Sequence, residues 1–172
     1  MSDNKGGNAI ERYLQVRGRK TIDSEQRTRI DTWLRWYRGQ VDKFHKYSVY
    51  TGQKRHTCER YKLGMGKQVC EDFATLLLNE KVQINATSFA ELPAILEANN
   101  FLDRCNRLLE LTMALGTGAL VEFLDADKKP VIDYIRGDMI YPLNWDGDNI
   151  TECAFGSVRV YDVGGKPKKG FY

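Results

Sequence analysis

Residues 60–84 read RYKLGMGKQVCEDFATLLLNEKVQI, and the rest of the chain is best understood from this stretch. Its apolar residues recur at three- and four-residue spacings, the period of one helix face: Leu63, Val69, Cys70, Phe73, Ala74, Leu76 and Leu77. The pattern predicts a helix of about 18 residues, roughly 27 Å long, that begins near Arg60 and ends near Asn79. Val82 and Ile84 then alternate with polar residues, which predicts a short strand. We expect this helix to be the element against which the core packs.

The composition is that of an ordinary globular domain. The chain has 172 residues, of which 42% are hydrophobic and 28% charged. No apolar run approaches the ~18 residues of a membrane span, and the first residues, MSDNKGGNAIERYLQ, lack the apolar core of a secretory signal. We therefore expect no membrane partner.

The cysteines and histidines are too scattered for a metal centre. There is no C-x-x-C pair, and the chain has two histidines, so neither a zinc site nor a disulfide framework is indicated. Buried reduced thiols are expected instead. The residues concerned are Cys58, Cys70, Cys105, Cys153, His45 and His56.

The net charge of +3 conceals an asymmetry along the chain. Residues 1–67 hold 16 Lys/Arg and 7 Asp/Glu, a net charge of +9, whereas residues 68–172 hold 10 and 16, a net charge of −6. Such a division suits a nucleic-acid surface on the basic part. It equally suits subunits that meet head to tail, or two solvated surfaces without a partner.

The first part of the chain is predicted to be helical. Residues 1–7 are polar and are expected to be disordered, and Asn8 is expected to begin a short helix that ends at Gly18. Residues 1–20 are thus interpreted as a flexible segment with a short helix, and residues 21–172 as one α+β domain. A second helix begins at Asp23 or Ser24 and ends at Gly39. Its predicted buried face is formed by Ile30, Trp33, Leu34 and Tyr37, with core packing also favoured for Trp36, and the run at 53–56 is interpreted as a surface loop.

The second part changes from helices to strands. A short helix through Leu92 and Leu96 and a longer one from Phe101 to Leu115 are predicted first. Extended segments follow at 119–124, 130–135, 139–143 and 150–161, with turns between them. The fold class is therefore α+β, N-terminal helices followed by an antiparallel sheet of short strands. The chain stops at Phe171 and Tyr172, where the second strand of the last hairpin is expected to begin, so we interpret it as the N-terminal piece of a longer protein.

Two glycine-rich segments resemble phosphate loops, but neither has the required context. Gly64-Met65-Gly66-Lys67 lacks the first glycine and the Ser/Thr of a P-loop, and it lies at a helix start without a preceding strand. Gly116-Thr117-Gly118 follows a helix and precedes a strand, which is the reverse of a phosphate cradle. The first is interpreted as part of a helix start and the second as a helix end with a tight entry into a strand, and no cofactor is predicted.

Acidic residues on two neighbouring strands leave one enzymatic alternative open. Glu122, Asp125, Asp127, Asp133 and Asp138 lie on or between these strands. Carboxylates of this kind hold metal ions in nucleases. The alternative function is a metal-dependent nuclease or other DNA-processing enzyme that uses Glu122, Asp133 and Asp138. Turn preference explains Asp125 and Asp127 equally well, and we assign no catalytic, cofactor or metal-binding residue.

Basic and aromatic residues alternate in the first part of the chain, which favours a second alternative, a nucleic-acid-binding module. Its affinity would fall steeply with salt and on removal of Arg35 and Arg38. The residues are Trp33, Arg35, Trp36, Tyr37, Arg38, Lys43, Phe44, Lys46 and Tyr47.

An ordered set of blocks gives the chain a family resemblance. The blocks are IDTWLRWYRG (30–39) with FHKY (44–47), LGMGKQVCEDFA (63–74) running into LLNEKV (77–82), ALGTGA (114–119), and DYI (133–135) with MIYPL (139–143). Together they resemble the N-terminal part of portal proteins of long-tailed bacteriophages that infect Gram-positive bacteria, over roughly residues 20–160.

The resemblance implies a structural protein without a catalytic centre. It implies a homo-oligomeric ring, usually of twelve subunits, at one capsid vertex, through which double-stranded DNA passes without sequence recognition during packaging and ejection. The implied partners are the capsid protein, the terminase and the head-tail adaptor. The implied location is the virion, at the portal vertex, and the host cytoplasm during assembly. Residues 21–172 would form part of the outer wing of the ring.

Overall fold

The computed structural model describes residues 5–19, 24–79, 81–84, 88–156, 158–164 and 167–171. Within them the chain forms six α-helices: α1 Lys5–Val16, α2 Ser24–Tyr37, α3 Asp42–His45, α4 Met65–Leu77, α5 Leu92–Ala98 and α6 Phe101–Leu115. The strands are β1 Lys46–Tyr50, β2 Arg55–Glu59, β3 Gly118–Leu124, β4 Pro130–Arg136, β5 Ile140–Asp146, β6 Asn149–Phe155, β7 Val158–Asp162 and β8 Pro167–Phe171. A 3-10 turn at Gly137–Met139 joins β4 to β5.

The α+β class is confirmed, with helices first and antiparallel strands after them. The strands pair as four antiparallel hairpins of consecutive strands, and not as the single sheet that was expected. In β5 and β6 the register shifts between Pro142 and Asn144. Proline has no N–H to donate to a neighbouring strand. Its position beside this register shift, in a strand that pairs with one partner, is consistent with that.

The core lies between α2 and α6. Its buried side chains are Ile30, Leu34 and Tyr37 from α2 and Leu111 and Leu115 from α6, with Cys70, Ala114 and Tyr134 packed against them. The predicted bounds of α6 are confirmed at both ends. Gly116, with φ of 77°, ends this helix in the left-handed region and donates its N–H to the carbonyl of Thr112 at 2.8 Å. This is the helix end expected for Gly116.

The prediction that α4 organises the core is wrong. α4 begins at Met65, not near Arg60, because Gly64 before it adopts a left-handed conformation with φ of 64°. Ala74 is its one buried residue, and Phe73 and Leu76 are 53% and 72% exposed. The expected strand at 82–84 is also absent, since these described residues have no strand assignment.

Two aromatic residues of α2 are more exposed than predicted. Trp33 was placed on the buried face, yet it is 39% exposed, and Trp36 is 48% exposed. The buried face of α2 consists of Arg27, Ile30, Leu34 and Tyr37, and the two tryptophans lie at its margin.

The hairpin formed by β1 and β2 was not predicted. Residues 53–56 were interpreted as a loop, but β2 begins at Arg55 and pairs with β1 across the turn at Gly52, whose φ is 90°. Nine of the ten strand residues are exposed. Without a buried face these strands carry no apolar alternation, which is the signal on which strand prediction rests.

The ends of the chain also differ from expectation. α1 begins at Lys5, so the predicted disorder is wrong for residues 5–7, while residues 1–4 lie outside the described part. The strand expected over 150–161 is divided at Gly156, whose N–H donates to the carbonyl of Met139 at 2.8 Å. The last hairpin contains its second strand, because β8 pairs with β7 from Asp162–Pro167 to Val158–Phe171. The prediction that this strand begins at Phe171 is therefore wrong.

Candidate functional site: anchored hairpins and exposed faces

Arg27 is a buried cation that ties the N-terminal half of α2 to three other elements. Its Nε donates to Glu11 of α1 at 3.1 Å, and its NH1 and NH2 groups donate to the carbonyls of Asp138 at 2.8 Å and Ile140 at 3.4 Å. The guanidinium lies 4.3 Å from the ring centroid of Tyr141, which is fully buried. A planar, always charged group with five donors suits such a junction. Arg27 therefore fixes the start of β5 against α2.

A second polar junction joins the C-terminal half of α2 to α6. Tyr37 donates its hydroxyl to the buried carboxylate of Glu110, and Arg107 donates to Glu110 at 2.5 Å and to the Tyr37 oxygen at 3.1 Å. Burial, assisted by the bond to Glu110, raises the pKa of Tyr37 to about 12. Every member has a partner, so the junction is favourable inside a low-dielectric core.

The third junction attaches β4 to α5 and α6. Asn99 donates to the carbonyl of Pro130 at 3.0 Å and accepts from the N–H of Ile132 at 2.9 Å. Arg104 donates to the carbonyl of Ile132 at 2.5 Å and pairs with Asp133 at 3.2 Å. The edge of a strand, which would otherwise be an unpaired row of backbone groups, is thereby covered.

The β1–β2 hairpin carries a basic and aromatic surface. Arg60 donates to the carbonyl of Phe44 and lies over two rings, 5.1 Å from the centroid of Phe44 and 4.6 Å from that of Tyr47. Phe44 in turn lies 5.1 Å from Trp36 of α2. Residues 42–62 hold six Lys/Arg and two Asp/Glu. Part of the predicted basic and aromatic surface therefore exists, but Tyr37, which was included in it, is buried.

The distal half of the β5–β6 hairpin is acidic and exposed. Residues 140–155 hold three Asp/Glu and no Lys/Arg. The burial of β5 falls along its length, from buried Ile140, Tyr141 and Pro142 to exposed Trp145 and Asp146. Trp145 faces Ile150 across the hairpin, and these side chains are 44% and 51% exposed.

A third exposed surface is the apolar stripe of α4. We define it as Met65, Val69, Phe73 and Leu76, which recur every three or four residues and are all between 48% and 72% exposed. The opposite face of α4, with Ala74 and half-buried Cys70, packs towards α6 and α2. Exposed stripes of this kind are typical of chains that assemble.

The acidic residues of the enzymatic alternative are not brought together. Val121 pairs with Asp133 and Glu122 with Ile132, so Glu122 and Asp133 project from opposite faces of the β3–β4 hairpin. Asp133 is paired with Arg104, and Asp138 with Arg136 at 2.8 Å. In the part of the chain that the structure describes, no three His, Cys, Asp or Glu side chains are grouped to hold a metal ion.

The two turn aspartates have the local role that turn chemistry predicts. The side chain of Asp125 accepts from the backbone N–H groups of Asp127 at 2.8 Å and Lys129 at 2.9 Å. Asp125 therefore stabilises the β3–β4 turn.

Lys67 and the cysteines have structural surroundings that explain them. Lys67 of the Gly64–Lys67 segment pairs with Glu71 at 2.9 Å, and α4 begins within this segment. All four cysteines are free thiols, and burial raises the pKa of Cys70, Cys105 and Cys153. A raised pKa favours the protonated thiol, which is the less nucleophilic form.

Comparison with known families accounts for nearly the whole chain. The family model described as "Phage portal protein, SPP1 Gp6-like" matches residues 19–172. The chain belongs to this phage portal protein family. Comparisons with curated proteins and with solved structures found no match. The resemblance to portal proteins noted from the sequence blocks is thereby confirmed, and portal proteins are structural, non-enzymatic proteins of the virion.

None of the helices among the described residues has the length and apolar character needed to cross a lipid bilayer.

The anchoring residues of this portal chain were missed in the sequence, although one of them had a signal. Arg27 precedes Ile30 by three residues and Leu34 by seven, so the helical period places it on the buried face of α2. Glu110 is next to the core residue Leu111, but no comparable spacing in the sequence predicted that its side chain would be buried. Charged residues were interpreted as surface because few of them are buried unless paired.

Proposed function

We propose that the chain is a structural subunit of the phage portal, the head-tail connector ring through which DNA is packaged and ejected. The observation that carries this proposal is the family match over residues 19–172. In the proposal the subunits form a ring of twelve at one capsid vertex, in contact with the capsid protein. The terminase binds the ring during packaging and the head-tail adaptor binds it afterwards. Double-stranded DNA passes through it without sequence recognition.

The proposed place of this chain in the ring is the outer wing. Residues 21–172 are proposed to form the wing-like domain, preceded by the segment 1–20. The three polar junctions support this assignment, because they join α2 to α6 and hold β4 and β5 in fixed positions against these helices. A ring subunit needs such rigidity, since small errors in orientation accumulate around a closed ring. The proposed location is the portal vertex of the virion, with assembly in the host cytoplasm.

Electron microscopy of the full-length portal protein that carries this sequence tests the proposal. A ring with a central hole is expected. A preparation of folded single subunits under all conditions would contradict it. The chain of 172 residues by itself is expected to be monomeric or weakly associated in light scattering, and a discrete particle of twelve subunits from it would refute that expectation.

An assay with plasmid DNA separates this function from the enzymatic alternative. With Mg²⁺ or Mn²⁺ present, no cleavage above that of a mock preparation is expected. Cleavage that disappears in Glu122→Gln or Asp133→Asn, but persists in Asp127→Asn, would support a nuclease instead.

A further inference from the structure

Two hairpin ends of this chain have matching composition and opposite charge. We call the exposed residues Val49, Tyr50, Lys54 and Arg55 of β1–β2 the basic tip, and Trp145, Asp146, Asp148 and Ile150 of β5–β6 the acidic tip. We propose that, in the ring, the basic tip of one subunit binds the acidic tip of the next. This inference rests on the proposed function, because it names the partner as a second copy of this chain.

Each tip combines apolar contact area with two charges of one sign. Val49 and Tyr50 are 42% and 64% exposed, close to the 44% and 51% of Trp145 and Ile150. Exposed aromatic and aliphatic side chains within a charged rim are the usual composition of a binding surface. The apolar parts supply contact area, and the charges select the opposite tip over a copy of the same tip.

The charges at the tips are available to a partner. Lys62 pairs with Asp42 and Glu59, and Lys46 pairs with Asp42, so the acidic residues at the base of the β1–β2 hairpin are already engaged. Within the described residues Lys54 and Arg55 take part in no ion pair, and the same holds for Asp146 and Asp148. Glu152 of β6, by contrast, pairs with Arg19 at 3.0 Å.

The two hairpins are attached to opposite ends of one rigid helix. β5 is fixed to α2 through Arg27, and β1 follows Phe44, which contacts Trp36 of α2. Arg27 and Trp36 are nine residues apart in a helix, a separation of about 13 Å along its axis. A ring with head-to-tail contacts needs two different, complementary surfaces at different places on each subunit. The two tips meet that requirement.

Charge reversal in the full-length portal protein tests the contact. One variant carries Lys54→Glu with Arg55→Glu, a second carries Asp146→Lys with Asp148→Lys, and a third combines all four changes. The matched control, Asp127→Lys with Lys129→Glu, alters exposed charges in the β3–β4 turn. All these positions are exposed, so the melting temperature and circular dichroism of every variant are expected to equal those of the wild type.

Ring formation is followed by mass photometry and electron microscopy over a range of protein concentrations in low salt. Each single-tip variant is expected to need roughly tenfold more protein for half-assembly. The combined variant is expected to return to within about threefold of the wild type, because attraction is restored with reversed signs. An equimolar mixture of the two single-tip variants is expected to assemble better than either alone.

Three results would overturn the inference. If the wild type forms rings and all variants assemble equally well, the tips are not in contact, although the proposed function stands. If the variant with Lys54→Glu and Arg55→Glu assembles normally but loses binding to duplex DNA in a mobility-shift assay, the basic tip is a nucleic-acid surface. If the wild type forms no ring, the proposed function fails, and the inference fails with it.

Discussion

α4 and α6 are neighbouring amphipathic helices of similar length, yet one is covered and the other is not. α6 has 15 residues and buries Cys105, Glu110, Leu111 and Leu115, because α2 packs on it and the β3–β4 hairpin lies against it. α4 has 13 residues, and of these only Ala74 is buried. The apolar period of a helix thus predicts that one of its faces is hydrophobic. Whether the face is buried within the chain depends on which elements surround it.

The largest test of this comparison removes one leucine from each helix. Leu111 of α6 is 3% exposed and Leu76 of α4 is 72% exposed. Leu111→Ala is expected to lower the free energy of unfolding by about 2–5 kcal/mol, since it leaves a cavity in the core. Leu76→Ala makes the same chemical change in a helix and is expected to cost less than about 0.5 kcal/mol. Urea unfolding of both variants at low protein concentration measures the difference, and similar losses would show that α4 is covered in solution.

A second pair of substitutions compares a buried and an exposed arginine of α2. Arg27 is 7% exposed and holds three elements together, whereas Arg29, two residues further on, has an exposed side chain paired with Glu25 at 2.6 Å. Arg27→Ala is expected to cost about 3 kcal/mol, because Glu11 and two carbonyls lose their donor. Arg29→Ala is expected to cost about 0.3–0.5 kcal/mol. Thermal unfolding followed by circular dichroism distinguishes the two, and a loss below about 1 kcal/mol for Arg27→Ala would contradict the assigned role.

Elements with strong local signals were predictable from the sequence. The helix Phe101–Leu115 has both an apolar period and a glycine that ends it, and the β3–β4 turn has an aspartate whose side chain binds two backbone N–H groups. In these places the residues that specify the structure are neighbours in the chain. The family resemblance was recognisable for a related reason, since it rests on the order of short blocks.

Features that depend on distant contacts were not predictable. Phe73 is exposed because α4 packs on α6 through the face that carries Cys70 and Ala74, a choice of face that no pattern inside α4 records. The alternation at 82–84 covers three residues, which is too short to specify a strand without a partner. Among the junction residues, Arg27 carried a positional signal, but Glu110 acquires its role only from Tyr37, 73 residues away.

The polar junction between α6 and α2 offers a smaller, pH-dependent effect. Tyr37→Phe removes a buried hydroxyl and leaves Glu110 with one donor fewer, so a loss of about 1–1.5 kcal/mol is expected at neutral pH. Because the folded pKa of Tyr37 is about 12 and an unfolded tyrosine has about 10, the wild type holds this stability below pH ~10. It loses that stability progressively as the pH rises towards about 12.

The two unfolding free energies are therefore expected to converge above pH ~10, as measured by urea unfolding at a series of pH values. The control is Tyr13→Phe, since Tyr13 is 57% exposed. A constant difference between wild type and Tyr37→Phe over the whole range would show that Tyr37 ionises normally.

The smallest expected effects lie at the starts of the two helices, where α4 and α6 are alike. Both begin after a left-handed residue, Gly64 with φ of 64° and Asn100 with φ of 47°. Gly64→Ala is expected to cost about 1 kcal/mol, because an alanine Cβ is strained in this conformation. Gly64→Asn is expected to cost less, since asparagine already fills the same position before α6.

Gly66, two residues after Gly64, is the matched control because it lies inside the first turn of α4. Apart from its chain neighbours and the backbone of its own helix, a Cβ at Gly66 would meet no atom within 4 Å, so Gly66→Ala is expected to stabilise the chain by about 0.5–1 kcal/mol. Thermal unfolding measures the stability change of each variant. The two changes are expected to have opposite signs if the glycines matter only through backbone conformation. Two losses of equal size would mean that the segment contacts something through its glycines, and α4 would then be covered at its start as α6 is along its length.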